Sequence, residues 1–325
     1  MKAATYETPG TEDVLEITTV DDPAPASREV LIRVRAAGVN RADLLQRAGG
    51  YPPPPGASPI LGLECAGTVA DLGTDVHEFE PGECVMALLP GGGYAELAAV
   101  HAGSVMRTPD SFSDEEAAAF PETFLTAFLN LFLIGGARPG STVLVHGGGS
   151  GVGTSAIQLC REEGIRTIVT AGSDEKCRRC LDLGAARAIN YRTERFEDLV
   201  RDATEGRGAD VILDHIGGAY LGRNLDALAT GGRLVVIGGM GGRTGELDLG
   251  KLLAKRLQIV GSTLRSRSDE EKREIVRAFL GHFGTHLRAG RLRPVIDSVF
   301  PLERVADAHR RMASSAHFGK IVLRV

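Results

Sequence analysis

Residues 141–153 constrain this chain more than any other stretch. An apolar run, Thr142-Val143-Leu144-Val145, stops at His146 and gives way to Gly147-Gly148-Gly149-Ser150-Gly151-Val152-Gly153. Apolar side chains at Val152, Ala156 and Leu159 follow at i, i+4, i+7, the spacing of a helix laid on a sheet. The segment predicts strand, tight turn and helix, with the helix beginning inside the glycines. The first amides of such a helix lack internal partners and carry the positive end of its dipole, so a phosphate can dock there if no side chain intrudes. Glycine removes the intrusion. The spacing departs from G-x-G-x-x-G, because Ser150 stands where the middle glycine belongs, and a glycine-rich turn without a ligand stays open on this stretch alone. A hydrolase elbow does not fit, since G-x-S-x-G needs a glycine where Val152 stands.

The sequence downstream favours the nucleotide reading. Strand-like runs at 167–171, 187–190, 210–213, 233–237 and 257–261 alternate with helical stretches, which predicts a parallel sheet with crossover helices. Such sheets bind nucleotides at the carboxyl ends of their strands. An NAD site usually places an acidic residue about 20 residues past the glycines, on the ribose 2′-hydroxyl. Here that place holds Gly172-Ser173, followed by Lys176, with Tyr191 closing the next strand. A small residue, a hydroxyl and a cation suit a 2′-phosphate, which an acid would repel. Asp174 works against this unless it serves as the cap of the next helix. NADP is favoured over NAD.

The rest of the chain frames this centre. At 325 residues it has room for two domains. Residues 1–121 show short alternating runs at 15–20, 30–36, 67–70, 84–88 and 94–100, the pattern of a mostly antiparallel β domain. A short helix capped by Asn40 and a stiff Tyr51-Pro52-Pro53-Pro54-Pro55-Gly56 loop interrupt them. One apolar helix is expected from Ser113 or Asp114 to about residue 134. Residues 122–265 form the nucleotide domain. Residues 266–325, with helices at 268–287 and 302–312 and strands at 295–300 and 319–325, return to the first domain, leaving a cleft of the kind ligands occupy.

Charge and cysteine content exclude several function classes. A net charge of -5 with no basic stripe argues against a nucleic-acid surface. No apolar run approaches the length needed to span a membrane, and residues 1–6 lack the apolar core of a signal peptide, so a cytoplasmic protein is expected. Five cysteines suggest free thiols. Cys177 and Cys180 form a CxxC pair with no second pair or histidine set, so no metal site is expected. Arg265 and Arg267 read as surface charges beside Asp269, Glu270 and Glu271.

Several motifs occur in a fixed order: GVNRADLLQ at 38–46, YPPPPGAS at 51–58, ILGLE at 60–64, MALLPGGG at 86–93, PETFLTAF at 121–128, the glycine turn, TAGS at 170–173, LDHIGG at 213–218, LRSR at 264–267 and GKIVL at 319–323. In these the chain resembles the zinc-independent quinone oxidoreductases of the medium-chain dehydrogenase/reductase superfamily, and within them the p53-inducible quinone oxidoreductase branch. The resemblance implies a Rossmann doubly wound parallel sheet inserted in a GroES-like, mostly antiparallel β domain, a homodimer, and NADPH as cofactor. It places Asn40 and Thr126 near the nicotinamide and Ser150, Gly151 and Val152 at the diphosphate. Ser173, Lys176 and Tyr191 fall at the 2′-phosphate, with Gly239, Met240, Leu264 and Lys320 on the nicotinamide side and Tyr51 in the substrate pocket. Zinc alcohol dehydrogenases carry a cysteine near Asn40 and Arg41, a Gly-His-Glu motif and four structural cysteines. Here Gly62-Leu63-Glu64 stands instead, and no zinc is expected.

The implied reaction passes a hydride from NADPH to a small quinone. Tyr51 is the candidate acid, unless its ring only packs on the proline loop, and Asn40 is an orienting amide. An alkenal or enone reductase is the alternative, and an NADPH-binding redox sensor or structural protein is a third reading. Membrane and nucleic-acid partners are not expected.

Overall fold

A computed structural model describes residues 1–325. They divide into two compact units, one formed by Met1–Leu125 with Leu264–Val325 and the other by Thr126–Thr263. The second unit is thus inserted in the sequence of the first, and one border falls inside the helix Pro121–Phe128 rather than at its start.

The inserted unit is built on six parallel strands: Thr142–Val145, Arg166–Ala171, Arg187–Asn190, Ala209–Asp214, Leu228–Val236 and Gln258–Gly261. Their order across the sheet is third, second, first, fourth, fifth, sixth. This is the doubly wound dinucleotide-binding order. Every residue of the first strand is buried, which is why its sequence is an unbroken apolar run instead of an alternation. Val145 pairs with Val169 on one side and with Leu213 on the other, so the winding reverses at this strand. A crevice opens outside the carboxyl ends of strands at such a switch point. The sheet is held by Leu144, Ile168, Ile189, Ile212 and Leu234 packed against Phe196, Val200 and Leu225 from the covering helices.

The first unit centres on the long strand Glu29–Val39, which pairs antiparallel with Glu64–Leu72, Leu97–His101 and Lys320–Arg324. Only Ile296–Pro301 runs parallel to its neighbour, Lys320–Arg324. The pairing of Ile321 with Val39 brings the end of the chain to the corner where the helix Arg41–Arg47 begins. The core of this unit includes Val30, Ile32, Val34, Leu61, Tyr94, Ile321 and Leu323. No helix of either unit is long and apolar enough to cross a membrane.

Two local readings are corrected. The single helix expected up to about residue 134 is three pieces: Asp114–Ala118, Pro121–Phe128 and a π-helical stretch Leu129–Ile134. Pro121 has no N–H to give to a preceding turn, so it opens a new helix rather than continuing one. Asn130 Nδ2 bonds the Thr126 carbonyl at 2.8 Å where the helix widens. The helix expected at 302–312 begins as a 3-10 turn, Leu302–Arg304, before Val305–Ala313.

Each unit buries a neutral histidine, His146 in the inserted unit and His309 in the first. Burial pushes both down to about 3. Unfolding therefore takes up protons below the ordinary histidine pKa of about 6.5, and stability is lost as pH falls from there toward 3, while it is flat in these groups above 6.5. Each histidine costs about 2 kcal/mol at pH 5 relative to pH 7. The thermal midpoint should fall accordingly between pH 7 and pH 5; an unchanged midpoint would show that these rings are not buried neutral.

Candidate functional site

In the inserted unit, the glycine turn is shaped by contacts that admit no side chain. Gly147 has φ +68, and a Cβ there would lie 2.4 Å from the His215 ring. A Cβ on Gly153 would lie 2.3 Å from the Gly147 carbonyl oxygen. Ser150 caps the helix Gly151–Glu162: its Oγ accepts the Gly153 N–H at 3.0 Å, and its own N–H goes to Gly147 O at 2.9 Å. The amides of Gly151 and Val152, the first two of the helix, are left without an internal acceptor. They form the cradle a diphosphate needs.

Beneath the turn runs a buried polar chain. Asp214 Oδ2 accepts from Asn224 Nδ2 at 3.1 Å, which turns Asn224 Oδ1 toward His146 Nε2 at 2.7 Å. His146 therefore carries its proton on Nε2 and accepts at Nδ1 from Thr170 Oγ1, 3.1 Å away. That leaves Thr170 Oγ1 an acceptor for the Gly147 N–H, at 3.3 Å. Asp214 thus orients the first glycine through three side chains.

The ends of the second and third strands hold the next group. A Cβ at Gly172 would come within 2.8 Å of the Tyr191 hydroxyl, so a small residue lets that phenol lie over the turn. Tyr191 itself is 40% exposed. Ser173, not Asp174, caps the following helix, accepting the Lys176 N–H at 3.2 Å. Asp174 is instead held by Asn190 Nδ2 at 2.7 Å. At the end of the fifth strand, Met240 gives its N–H to His215 O at 3.0 Å and leaves its side chain exposed beside Gly239. Thr126 is buried, its carbonyl taken by Asn130.

In the first unit, Asn40 and Lys320 are drawn together around a buried carboxylate. Glu64 is fully buried, and its Oε1 accepts from Lys320 Nζ at 2.6 Å and Asn40 Nδ2 at 3.0 Å. Lys320 Nζ also donates to Asn40 Oδ1 at 2.7 Å and Val39 O at 2.9 Å. All three ammonium protons are used, so Lys320 fixes Asn40 instead of reaching outward. Asn40 sits at the N-cap position, and its own N–H goes to Asp43 Oδ2 at 2.7 Å. Asp43 also accepts from Tyr94 Oη at 2.9 Å and the Gly62 N–H at 3.1 Å, yet burial pushes it up to about 6.

Arg265 corrects the reading of it as a surface charge. It is 3% exposed and donates to Gln46 Oε1 at 2.6 Å, Pro90 O at 2.7 Å and Tyr51 O at 3.4 Å, with its guanidinium 5.3 Å from the centre of the Tyr51 ring. It therefore ties the helix Arg41–Arg47 to the loops at Pro90 and Tyr51 and sets the Tyr51 ring. Leu264, beside it, is buried. Tyr51 is partly buried, and its phenol is pushed up by burial, then by Glu122, against the opposing pull of Arg265. It stays protonated at neutral pH. Arg267, by contrast, pairs with Glu271 at the surface.

Sequence reasoning missed Arg265, Asp43 and Glu122 as members of this group. Their only signal was their place inside the LRSR, GVNRADLLQ and PETFLTAF motifs.

Comparison with known proteins agrees with this layout. Residues 26–110 match the family described as alcohol dehydrogenase GroES-like domain, and residues 183–323 match zinc-binding dehydrogenase. A quinone oxidoreductase of Rattus norvegicus is 33% identical over 97% of this chain and 94% of its own length. A phenolphthiocerol/phthiocerol polyketide synthase of Mycobacterium tuberculosis is 35% identical over 98% of this chain, which spans only 14% of that protein. Among solved structures, the Escherichia coli quinone oxidoreductase complexed with NADPH has a TM-score of 0.89 at 27% identity, covering 100% of both chains. The CurK enoyl reductase has a TM-score of 0.88 at 28% identity, over 99% of this chain and 98% of its own. This chain belongs to the medium-chain dehydrogenase/reductase superfamily. Within it, the chain is a member of the quinone oxidoreductase family.

Removing the Lys320 ammonium should expose how costly Glu64 is to bury alone. Lys320→Met should lower unfolding stability by about 3–5 kcal/mol in urea, and adding Glu64→Gln should recover most of that loss. Equal losses in the single and double variants would mean that the pair is not coupled.

Proposed function

We propose that this protein is an NADPH-dependent quinone oxidoreductase that works on small quinones without zinc. The observation that carries the cofactor reading is the pairing of an open helix N-terminus at Gly151 and Val152 with a second-strand end that carries Gly172 and Ser173 and whose following acid, Asp174, is held by Asn190. The diphosphate would lie on the first. Ser173, Lys176 and Tyr191 would take the 2′-phosphate, with Thr126, Gly239 and Met240 toward the nicotinamide. When bound, NADPH supplies a hydride.

This chain's residues then have to orient the acceptor and deliver a proton. Asn40, held rigid by Glu64 and Lys320, is the fixed polar edge. Tyr51, neutral and steadied by Arg265, gives its Oη proton to the anion of the reduced acceptor. A quinone or an enone needs little Lewis-acid help. The donor set does not suit zinc either: the oxygens of Glu64 are used by Lys320, Asn40 and the Glu122 N–H, and Asn40 stands where a thiolate would be needed.

The likeness to an enoyl reductase keeps alkenal or enone reduction as the second reading. A homodimer is supported by the edge strand Gln258–Gly261, where Ile259 and, nearby, Leu253 are exposed. The five unpaired thiols suit a reducing cytoplasm.

Oxidation of NADPH and of NADH should be followed with 1,2-naphthoquinone, 1,4-benzoquinone and 2-hexenal as parallel acceptors. Quinone turnover with NADPH preferred is expected; turnover of 2-hexenal alone would select the enone reading. Lys176→Ala should raise KM for NADPH about tenfold or more while leaving KM for NADH near its original value. Tyr51→Phe should lower kcat on quinones about tenfold to a hundredfold, and an unchanged kcat would reduce Tyr51 to pocket lining.

A further inference from the structure

His215 has no part in the reaction described above, yet it stands where a dinucleotide has to pass. It directly follows Asp214, the last residue of the fourth strand Ala209–Asp214. That strand lies beside the first: Leu213 pairs with Val145, and its carbonyl accepts the His146 N–H at 3.1 Å. His215 is therefore the first residue past the pairing, at the point where the winding of the sheet reverses and the crevice opens. Its backbone is pinned on both sides. Asp214 takes the Ile216 N–H at 2.6 Å and the Gly217 N–H at 3.1 Å, and the His215 carbonyl accepts the Met240 N–H at 3.0 Å.

The ring reaches from the fourth strand to the first. A Cβ on Gly147 would lie 2.4 Å from His215 Cε1 and 2.9 Å from Nε2, but 3.5 Å from Nδ1. The far edge of the imidazole, with Nε2 in it, thus meets the start of the glycine turn. On its other side, a Cβ on Gly238 would lie 3.3 Å from the His215 Cβ. Glycine on both sides clears a slot for this side chain. His146, one residue before Gly147, is buried with both ring nitrogens used inside the sheet, whereas His215 is partly exposed. Gly147 in turn holds the Ser150 N–H through its carbonyl, and Ser150 caps the helix whose first amides are open. The imidazole therefore touches the turn assigned to the diphosphate, and its own backbone holds Met240, assigned to the nicotinamide side.

We propose that His215 is a further cofactor-binding residue, whose imidazole N–H donates to the diphosphate of NADPH from across the switch point. The proposal rests on the placement of the diphosphate at Gly151 and Val152. Those amides approach it from the helix after the first strand, and His215 supplies a side-chain donor from the end of the fourth. The diphosphate is common to NADPH and NADH. His215 therefore sets affinity for both, while the choice between them stays with Ser173, Lys176 and Tyr191 at the second and third strand ends.

The test uses the full chain and compares wild type, His215→Leu and His215→Gln by calorimetric titration. His215→Leu should raise Kd for NADPH and for NADH by the same factor, about tenfold, and His215→Gln, which returns an N–H donor near the position of Nε2, should recover most of that loss. Adenosine 2′-monophosphate has no diphosphate and should bind all three proteins equally. In wild type, the imidazole 15N resonances of His215 should shift when NADPH is added and stay in place with adenosine 2′-monophosphate; this arm carries the test if His215→Leu does not fold. Unchanged Kd values in His215→Leu, a loss that His215→Gln does not recover, or an equal loss for adenosine 2′-monophosphate would reduce the ring to packing between two glycines and overturn the proposal. Backbone amide resonances of Gly151 and Val152 that do not move with NADPH would sink the diphosphate placement instead, and the His215 resonances would still report whether the cofactor meets this ring.

Discussion

A lysine and a glutamate, both shut off from water, stand 2.6 Å apart in the first unit. Taking two such ions out of water costs several kcal/mol each, and a single contact does not repay it unless the remaining protons and lone pairs are also satisfied. The surrounding chain meets that demand from four distant places. Val39 and Asn40 come from the long strand Glu29–Val39 and its corner, Glu64 opens the next strand, Glu122 gives a backbone amide, and Lys320 begins the final strand. The closing antiparallel pairing of Ile321 with Val39 is what lets residues 280 apart meet. Asn40 is rigid because it belongs to this network, and the orienting role proposed for it rests on that rigidity.

The inserted unit depends on a milder version of the same rule. His146 sits among Phe196 and Tyr220 and stays neutral, so the polar chain from Asp214 to Gly147 crosses an apolar core without a cation in it. Asn224, His146 and Thr170 each have one donor and one acceptor duty in it, and the order of those duties is fixed from the acidic end. The glycine turn therefore has a conformation before any phosphate arrives, and its open amides need little rearrangement to bind one. In the first unit Arg265 acts similarly on Tyr51, spending its donors on one helix and two loops to hold one ring in place.

Much of this was legible in the residues. The strand, turn and helix around Gly147 follow from hydrophobic period and glycine content alone, and the helix does begin inside the glycines. Periodicity could not break the helix expected from residue 113, because Pro121 is tolerated at the start of a helix as readily as it ends one. Arg265 read as a surface charge because its neighbours in sequence are charged, whereas its neighbours in space are Gln46, Pro90 and Tyr51. Lys320 shows the same limit: its place in the sequence suggested a ligand contact, and only the packing showed its ammonium fully occupied.

The sequence by itself determined the fold class, the parallel sheet with its phosphate-ready turn, and the absence of a carboxylate in the usual ribose position. These depend on period, glycine and residue type within one local stretch. Tertiary structure alone decided which charged groups are paired, which proton is kept and which side chains are immobile. Those properties depend on desolvation and on partners brought from far along the chain, and neither burial nor distance is written in any single stretch of residues.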